Sequence, residues 1–314
     1  MKVVEMGGGS IRITWPKGTK PKDLIVGAAS ESERESYEAE SNAFFQSLLA
    51  DFNDRDIAAI QIHLDTIREA LEKEDLLNIV SLLYGGSIKK HTYVDGISDV
   101  DVLVIFDKSE LEGRTPDEIL DYFRSRLQER LPFTEIVKGK LAITVRFSDG
   151  HEIQILPANK TATGIRIAHE EGERWSNVIK PDKFAEKLTS VNVNNNGGVV
   201  PVIKLFKALN SELSKDVKLS GYHIESLAIE AFENYEAPKT RKAMLMHLAE
   251  YASKAVLKPI EDSTGQSVHV DDYFGEANSI ERQKTSAALK RISSRMKVAD
   301  NEGSIEKWKD FMGE

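Results

Sequence analysis

The stretch from Tyr84 to Phe106, YGGSIKKHTYVDGISDVDVLVIF, constrains the fold of this chain more than any other. It opens on Gly85, Gly86 and Ser87 and closes on Asp99 and Asp101, which lead straight into Val102-Leu103-Val104-Ile105-Phe106. An apolar run of that kind is expected of a strand buried on both faces. A carboxylate pressed against such a core is costly unless something compensates its charge. Two carboxylates at i and i+2 of a strand point to one side of the sheet, because the side-chain period is two. Paired hard oxygens on one face are the kind of ligand Mg²⁺ prefers. The preceding glycine turn offers bare backbone N–H groups, and without a Cβ such a turn can cradle phosphate oxygens. Each half alone is weak, since Gly-Gly-Ser is ordinarily only a turn and Asp-x-Asp ordinarily a solvated edge. Together they point to phosphoryl chemistry.

A chain of 314 residues can bury a substantial core and suggests two domains or lobes. It has no cysteine, which excludes disulfides and thiolate chemistry. No apolar run approaches membrane-spanning length, and the N-terminal MKVVEMGGGS lacks a signal-peptide core, so no membrane association and a cytoplasmic location are expected. The net charge of −9 argues against broad binding of extended nucleic acid while leaving room for a local basic pocket.

Residues 1–30 read as a loosely held arm with a short strand or hairpin at Ile11–Trp15, bounded by Pro16 and Pro21. Helical pattern starts near Ser30. Tyr37, Phe44, Phe45, Leu48, Leu49 and Phe52 make one apolar face, and Ile60, Leu64, Ile67 and Leu71 a second stripe. Thr115-Pro116-Asp117-Glu118 reads as N-cap, first-turn proline and acidic first turn of a helix that ends before Pro132. Strands follow at Leu141–Phe147 and His151–Leu156, joined by the turn Ser148-Asp149-Gly150. Residues 159–198 read as polar and irregular, with the crossover to the second domain before Val199, and Trp175 is expected in the core, at its rim or near the cleft. From there the pattern is helical, with helices at about 239–258, 278–299 and 304–312. Lys204 and Lys207 lie three apart on one helix face, which by itself reads as solvated surface. His223 reads as a structural or surface histidine, because no second His or Cys stands at zinc spacing from it.

Gly86-Ser87, followed by Asp99-Val100-Asp101, resembles the signature of the DNA-polymerase-β-like nucleotidyltransferases. Within that superfamily the chain resembles the cGAS/DncV-like nucleotidyltransferases (CD-NTases) over roughly residues 40–300, with support from Ile155-Leu156-Pro157-Ala158, Lys204–Asn210 and Ser220–Leu227. The resemblance implies an α+β, two-lobed fold: a small mixed sheet and a long N-terminal spine helix in a catalytic core (31–198), then a helical second lobe (199–314). It implies Asp99, Asp101 and a third acid as ligands of two Mg²⁺, with Mn²⁺ as a substitute, about 3.5–4 Å apart. The family's third acid stands three residues before the proline, where this chain has Gln154; Glu152, on the same strand face, is the alternative carboxylate. Gly86, Ser87, Lys204, Lys207 and Ser220 would hold the triphosphate, and Tyr222 would flank the base. The implied function is condensation of nucleoside triphosphates into a cyclic di- or trinucleotide read by a downstream effector in anti-phage signalling. Two rivals remain open: nucleotide addition to an RNA end or other acceptor, and a catalytically weak nucleotide-binding regulator.

Overall fold

The computed structural model describes residues 21–52, 57–72, 79–84, 90–94, 100–106, 113–168, 174–176, 178, 180–260, 271 and 274–313. Helices α1 (Pro21–Asp51) and α2 (Ile57–Glu72) lead into strands β1 (Ile79–Tyr84) and β2 (Val100–Phe106). Helix α3 (Pro116–Arg130) precedes β3 (Glu135–Lys138), β4 (Ile143–Arg146), β5 (Glu152–Lys160) and β6 (Ile165–Ile167). The remainder is helical: α4 (Pro181–Asn194), α5 (Val199–Ser211), α6 (Gly221–Phe232), α7 (Arg241–Ala255), α8 (Ile280–Asn301) and α9 (Ile305–Met312). This is the expected α+β architecture, with a small mixed sheet followed by a helical lobe. The expected strand at Ile11–Trp15 lies outside the described residues.

The sheet runs β1-β2-β5-β4-β3, with β6 pairing the end of β5. Among the described strands only β2 and β5 pair in parallel, and their register sets Asp101 opposite Gln154 and Val102 opposite Ile155. Val102, Val104, Phe106, Ile153 and Ile155 face a core closed by Ile60, Leu64, Ile67 and Leu71 of α2 and Ile119, Leu120, Phe123 and Leu127 of α3. The opposite face carries a smaller cluster of Leu103, Ile105, Ala158 and Ile165. Burial on both faces explains the unbroken apolar run of β2. Thr115 closes the expected cap on α3 as a full capping box, its Oγ1 accepting from Glu118 N while the Glu118 carboxylate accepts from Thr115 N.

Two expectations need correction. Helix α1 begins at Pro21, not near Ser30, because a proline's fixed φ suits the first turn of a helix and opens it as readily as it breaks one. The span 159–198 is not irregular, since it contains the end of β5, β6 and α4. In α4 the buried Phe184, Leu188 and Val191 keep helical spacing, but the polar residues between them dilute the periodicity. These three pack into the core of the helical lobe, together with Phe45, Leu48 and Leu49 of α1 and Trp308 of α9. Trp175 packs against the sheet's core instead, with its indole N–H donating to Arg114 O at 3.4 Å.

Charged groups inside the helical lobe tie its segments together. Arg282 is fully buried and donates to Asp271 Oδ2 at 2.5 Å and to the carbonyls of Val256, Lys258 and Gly275. His223 lies beside this pair, its Nε2 3.7 Å from Asp271 Oδ2. Burial pushes its pKa down from 6.5 to about 4, with Asp271 opposing and Arg282 adding to the shift. Because the folded pKa is the lower one, the neutral ring stabilises the fold above about pH 6.5, and that contribution is lost as pH falls towards 4. The expected outcome is a loss, relative to a His223→Gln variant, on the order of 3 kcal/mol between those limits. Urea melts of both proteins across that pH range check it, and parallel pH profiles would rule it out.

Candidate active site

Gly86, Ser87 and Asp99 lie outside the described residues, and Asp101 is described as a backbone position in β2. The parallel pairing of β2 with β5 nonetheless fixes the floor of the site, because Asp101 pairs with Gln154 and the two strands run in the same direction. Glu152 stands two residues earlier on β5, on the same face as Gln154 and opposite to the buried Ile153 and Ile155. Its carboxylate is not idle. It accepts from Arg146 Nε at 2.7 Å, and Arg146 Nη1 also donates to Glu135 at 2.9 Å, giving a carboxylate–guanidinium–carboxylate ladder across β5, β4 and β3. Both partners of the Glu152 pair are more than a third exposed, so the pair is weak and open to exchange.

The second wall comes from α5 and α6. Lys207 is buried, not solvated: its ammonium donates to Glu225 Oε1 at 2.9 Å, to Thr92 O at 3.0 Å and to Thr92 Oγ1 at 3.3 Å. Glu225 also pairs with Lys90 and accepts from the Thr92 hydroxyl. The segment that follows the glycine turn is thereby bonded to the helical lobe through one fully buried carboxylate. Burial alone would raise the Glu225 pKa, but Lys90 first and then Lys207 outweigh it and hold the group at about 2. Lys204 on the same helix is buried as well. The solvated-face reading of the two lysines is therefore wrong.

Ser220 is the N-cap of α6, its Oγ accepting from His223 N at 3.2 Å. Asn210 fixes that entry by accepting from Leu219 N at 2.8 Å and donating to Leu219 O at 2.9 Å. Tyr222, in the first turn, is 37% exposed and leans on Phe184 with ring centroids 4.5 Å apart. The Lys90 ammonium sits 4.8 Å from the Phe184 ring and 5.3 Å from the Tyr222 ring, within cation–π range of both. A helix N-terminus, an ammonium and a partly exposed aromatic ring thus converge at the inner end of the helical lobe. Each favours an anion or a flat heterocycle.

Residues 40–192 match the sequence profile of the Second Messenger Oligonucleotide or Dinucleotide Synthetase domain. The chain is 23% identical over 275 residues to a cyclic AMP-AMP-AMP synthase from Acinetobacter sp., covering 79% of this chain and 77% of that one. Its fold matches the Bradyrhizobium diazoefficiens CD-NTase CdnG in complex with GTP at a TM-score of 0.62 and 13% identity, covering 82% of this chain and 90% of that one. It also matches Escherichia coli CdnC with ATP at 0.59 and 14% identity, over 90% and 97% of the two chains. In sequence over residues 40–192 and in fold over most of its length, the chain is similar to the CD-NTases, a family of nucleotidyltransferases.

CD-NTases, like nucleotidyltransferases generally, use divalent metals. The donors facing the floor on β5 suit such a cation, since Glu152 and Gln154 both offer hard oxygens. The sequence pattern gave no role to Thr92, Glu225 or Arg146. For Glu225 a signal was present, because an acid between Ile224 and Leu227 interrupts the apolar face of a buried helix. Such a residue almost always has a cationic partner.

Glu225→Gln leaves two buried ammonium groups without their shared counter-charge. The variant is expected to lose roughly 3–5 kcal/mol of stability. Guanidinium melts measure this, and a midpoint equal to wild type would show that the ion cluster does not hold the two lobes.

Proposed function

We propose that this chain is a CD-NTase that condenses nucleoside triphosphates into a cyclic di- or trinucleotide. The observation that carries the reading is the charge imbalance at the inner end of the helical lobe. Glu225 faces two ammonium groups, Lys90 and Lys207, so their trio keeps one net positive charge beside the Ser220 helix N-terminus. A triphosphate is the natural counter-ion for that spot.

In this reading the donor nucleotide lies between the floor and the helical lobe. Gly86 and Ser87 give it backbone N–H groups, while Lys207, Lys204 and Ser220 hold its triphosphate. Tyr222 flanks its base. Asp99 and Asp101, with Glu152 or Gln154, hold two Mg²⁺. Bound there, the ions would lower the pKa of the attacking ribose hydroxyl and neutralise charge on the departing pyrophosphate. Glu152 takes the proton from that hydroxyl once its carboxylate is released from Arg146. Arg146 keeps its bond to Glu135 when it gives up Glu152, so the exchange leaves no buried charge behind. A second condensation in the same cleft closes the ring.

The synthase name of the Acinetobacter relative makes ATP the first substrate to test. By family analogy the product signals phage infection to a cyclic-nucleotide-responsive effector. The described helices include none long and apolar enough to cross a membrane.

One observation favours a second reading. Gln154 stands at the family's acid position and Glu152 is engaged by Arg146, as a nucleotide-binding regulator with weakened catalysis would have them. Mass spectrometry and pyrophosphate release with NTPs alone separate the two. Asp99→Asn with Asp101→Asn is expected to abolish product without unfolding the chain; undiminished synthesis would remove both acids from the site. Glu152→Gln is expected to cut turnover by about 10² or more, and Gln154→Asp to restore part of that loss. A silent Glu152→Gln beside an inactive Gln154→Ala would reverse the assignment. Wild-type protein that binds ATP but releases no pyrophosphate would favour the regulator.

A further inference from the structure

The turn between β4 and β5 carries a second cluster of ligand-type side chains. His63 on α2, Asp149 in the turn and His151 just before β5 bring one ligand atom each within 4.8 Å of one another. His63 Nε2 lies 2.7 Å from Asp149 Oδ2, and His151 Nδ1 lies 3.2 Å from Asp149 Oδ1. The His63 ring is stacked on Phe147 at 3.7 Å between centroids, which fixes the plane in which its nitrogen points. His151 Nδ1 is shielded from solvent yet makes no well-formed hydrogen bond. Gly150, at φ +93°, turns the chain so that Asp149 and His151 face the same helix.

We propose that His63, Asp149 and His151 form a transition-metal site that takes Zn²⁺ or a similar borderline ion such as Co²⁺ or Ni²⁺. Two imidazoles and a carboxylate are a common donor set for these metals, and too nitrogen-rich for Mg²⁺. Bonds of about 2.0–2.1 Å at tetrahedral angles require ligand atoms about 3.3–3.5 Å apart. The Asp149 Oδ1–His151 separation of 3.2 Å is already close to that, the His63–Asp149 Oδ2 separation of 2.7 Å needs to open by about 0.6–0.8 Å, and the widest separation in the set, no more than 4.8 Å, needs to close by side-chain rotation. Binding replaces the hydrogen shared by His63 and Asp149 with the ion and leaves a position for water. The ion would join α2 to the turn that starts β5, one residue before Glu152. It would thus stiffen the strand that lines the floor, a structural role separate from the acidic ions of the proposed reaction.

The test uses the full chain stripped with a chelator and then kept in excess Mg²⁺, so that the all-oxygen positions are filled. ZnCl₂ is titrated calorimetrically and by thermal melting, and CoCl₂ by visible absorption. The expected result is about one Zn²⁺ per chain, a raised Tm and the intense absorption of low-coordinate Co²⁺. His63→Gln and His151→Asn are each expected to weaken binding at least about tenfold, while Asp101→Asn retains it. Absence of a Zn²⁺-dependent shift in wild type overturns the proposal, as does binding unchanged in a folded His151→Asn variant. Loss of binding in Asp101→Asn would assign the ion to the acidic site instead. If His63→Gln proves unfolded by circular dichroism, His151→Asn, a partly exposed position outside the helix, decides alone.

Discussion

One buried carboxylate holds the two halves of this molecule in register. Glu225 is 1% exposed, bonded to Lys207 of the helical lobe on one side and to Lys90 and Thr92 of the sheet lobe on the other. Removing four ionised or polar groups from water is expensive, and the return comes only when each finds its partners at bonding distance. That condition is met in one relative placement of the lobes. A hydrophobic contact between them would tolerate sliding, whereas this joint does not. The segment between Lys90 and Val94 is thereby fixed against α5 and α6.

The floor obeys a different constraint. β2 and β5 are the parallel pair, buried on one face by α2 and α3, and their register decides which side chains on β5 stand level with Asp101. A slip of one residue would bury Gln154 and expose Ile155, which the core beneath does not allow. The floor is therefore held by hydrophobic packing and the second wall by charge. In the proposed reading, a nucleotide would lie between the two.

Much of this was legible in the sequence, and the reasons differ by element. The run after Asp101 was of the kind expected of a strand buried on both faces, and the Thr115-Pro116-Asp117-Glu118 cap announced α3 because capping is local chemistry. The apolar stripes of α1 and α2 were legible too, though not that one packs in the helical lobe and the other under the sheet. Periodicity shows that a face is buried and not what covers it. Lys207 was ambiguous for the same reason. A lysine on a helix reads as solvated until its partner is known, and Glu225 and Thr92 lie 18 and 115 residues away from it. The ladder from Glu135 through Arg146 to Glu152 is likewise a product of strand pairing, and β3 is too short to show itself by alternation.

The central claim is that nucleotide and catalytic ions meet between the β2–β5 floor and the Lys90–Glu225–Lys207 joint. Crystals grown with a non-hydrolysable ATP analogue and Mn²⁺, measured at a wavelength where manganese scatters anomalously, address it directly. The account predicts anomalous density at the start of β2 facing Gln154 and Glu152, with the triphosphate running towards Ser220 and the base against Tyr222. Nucleotide bound elsewhere, or manganese found only at the His63–Asp149–His151 cluster, would contradict it.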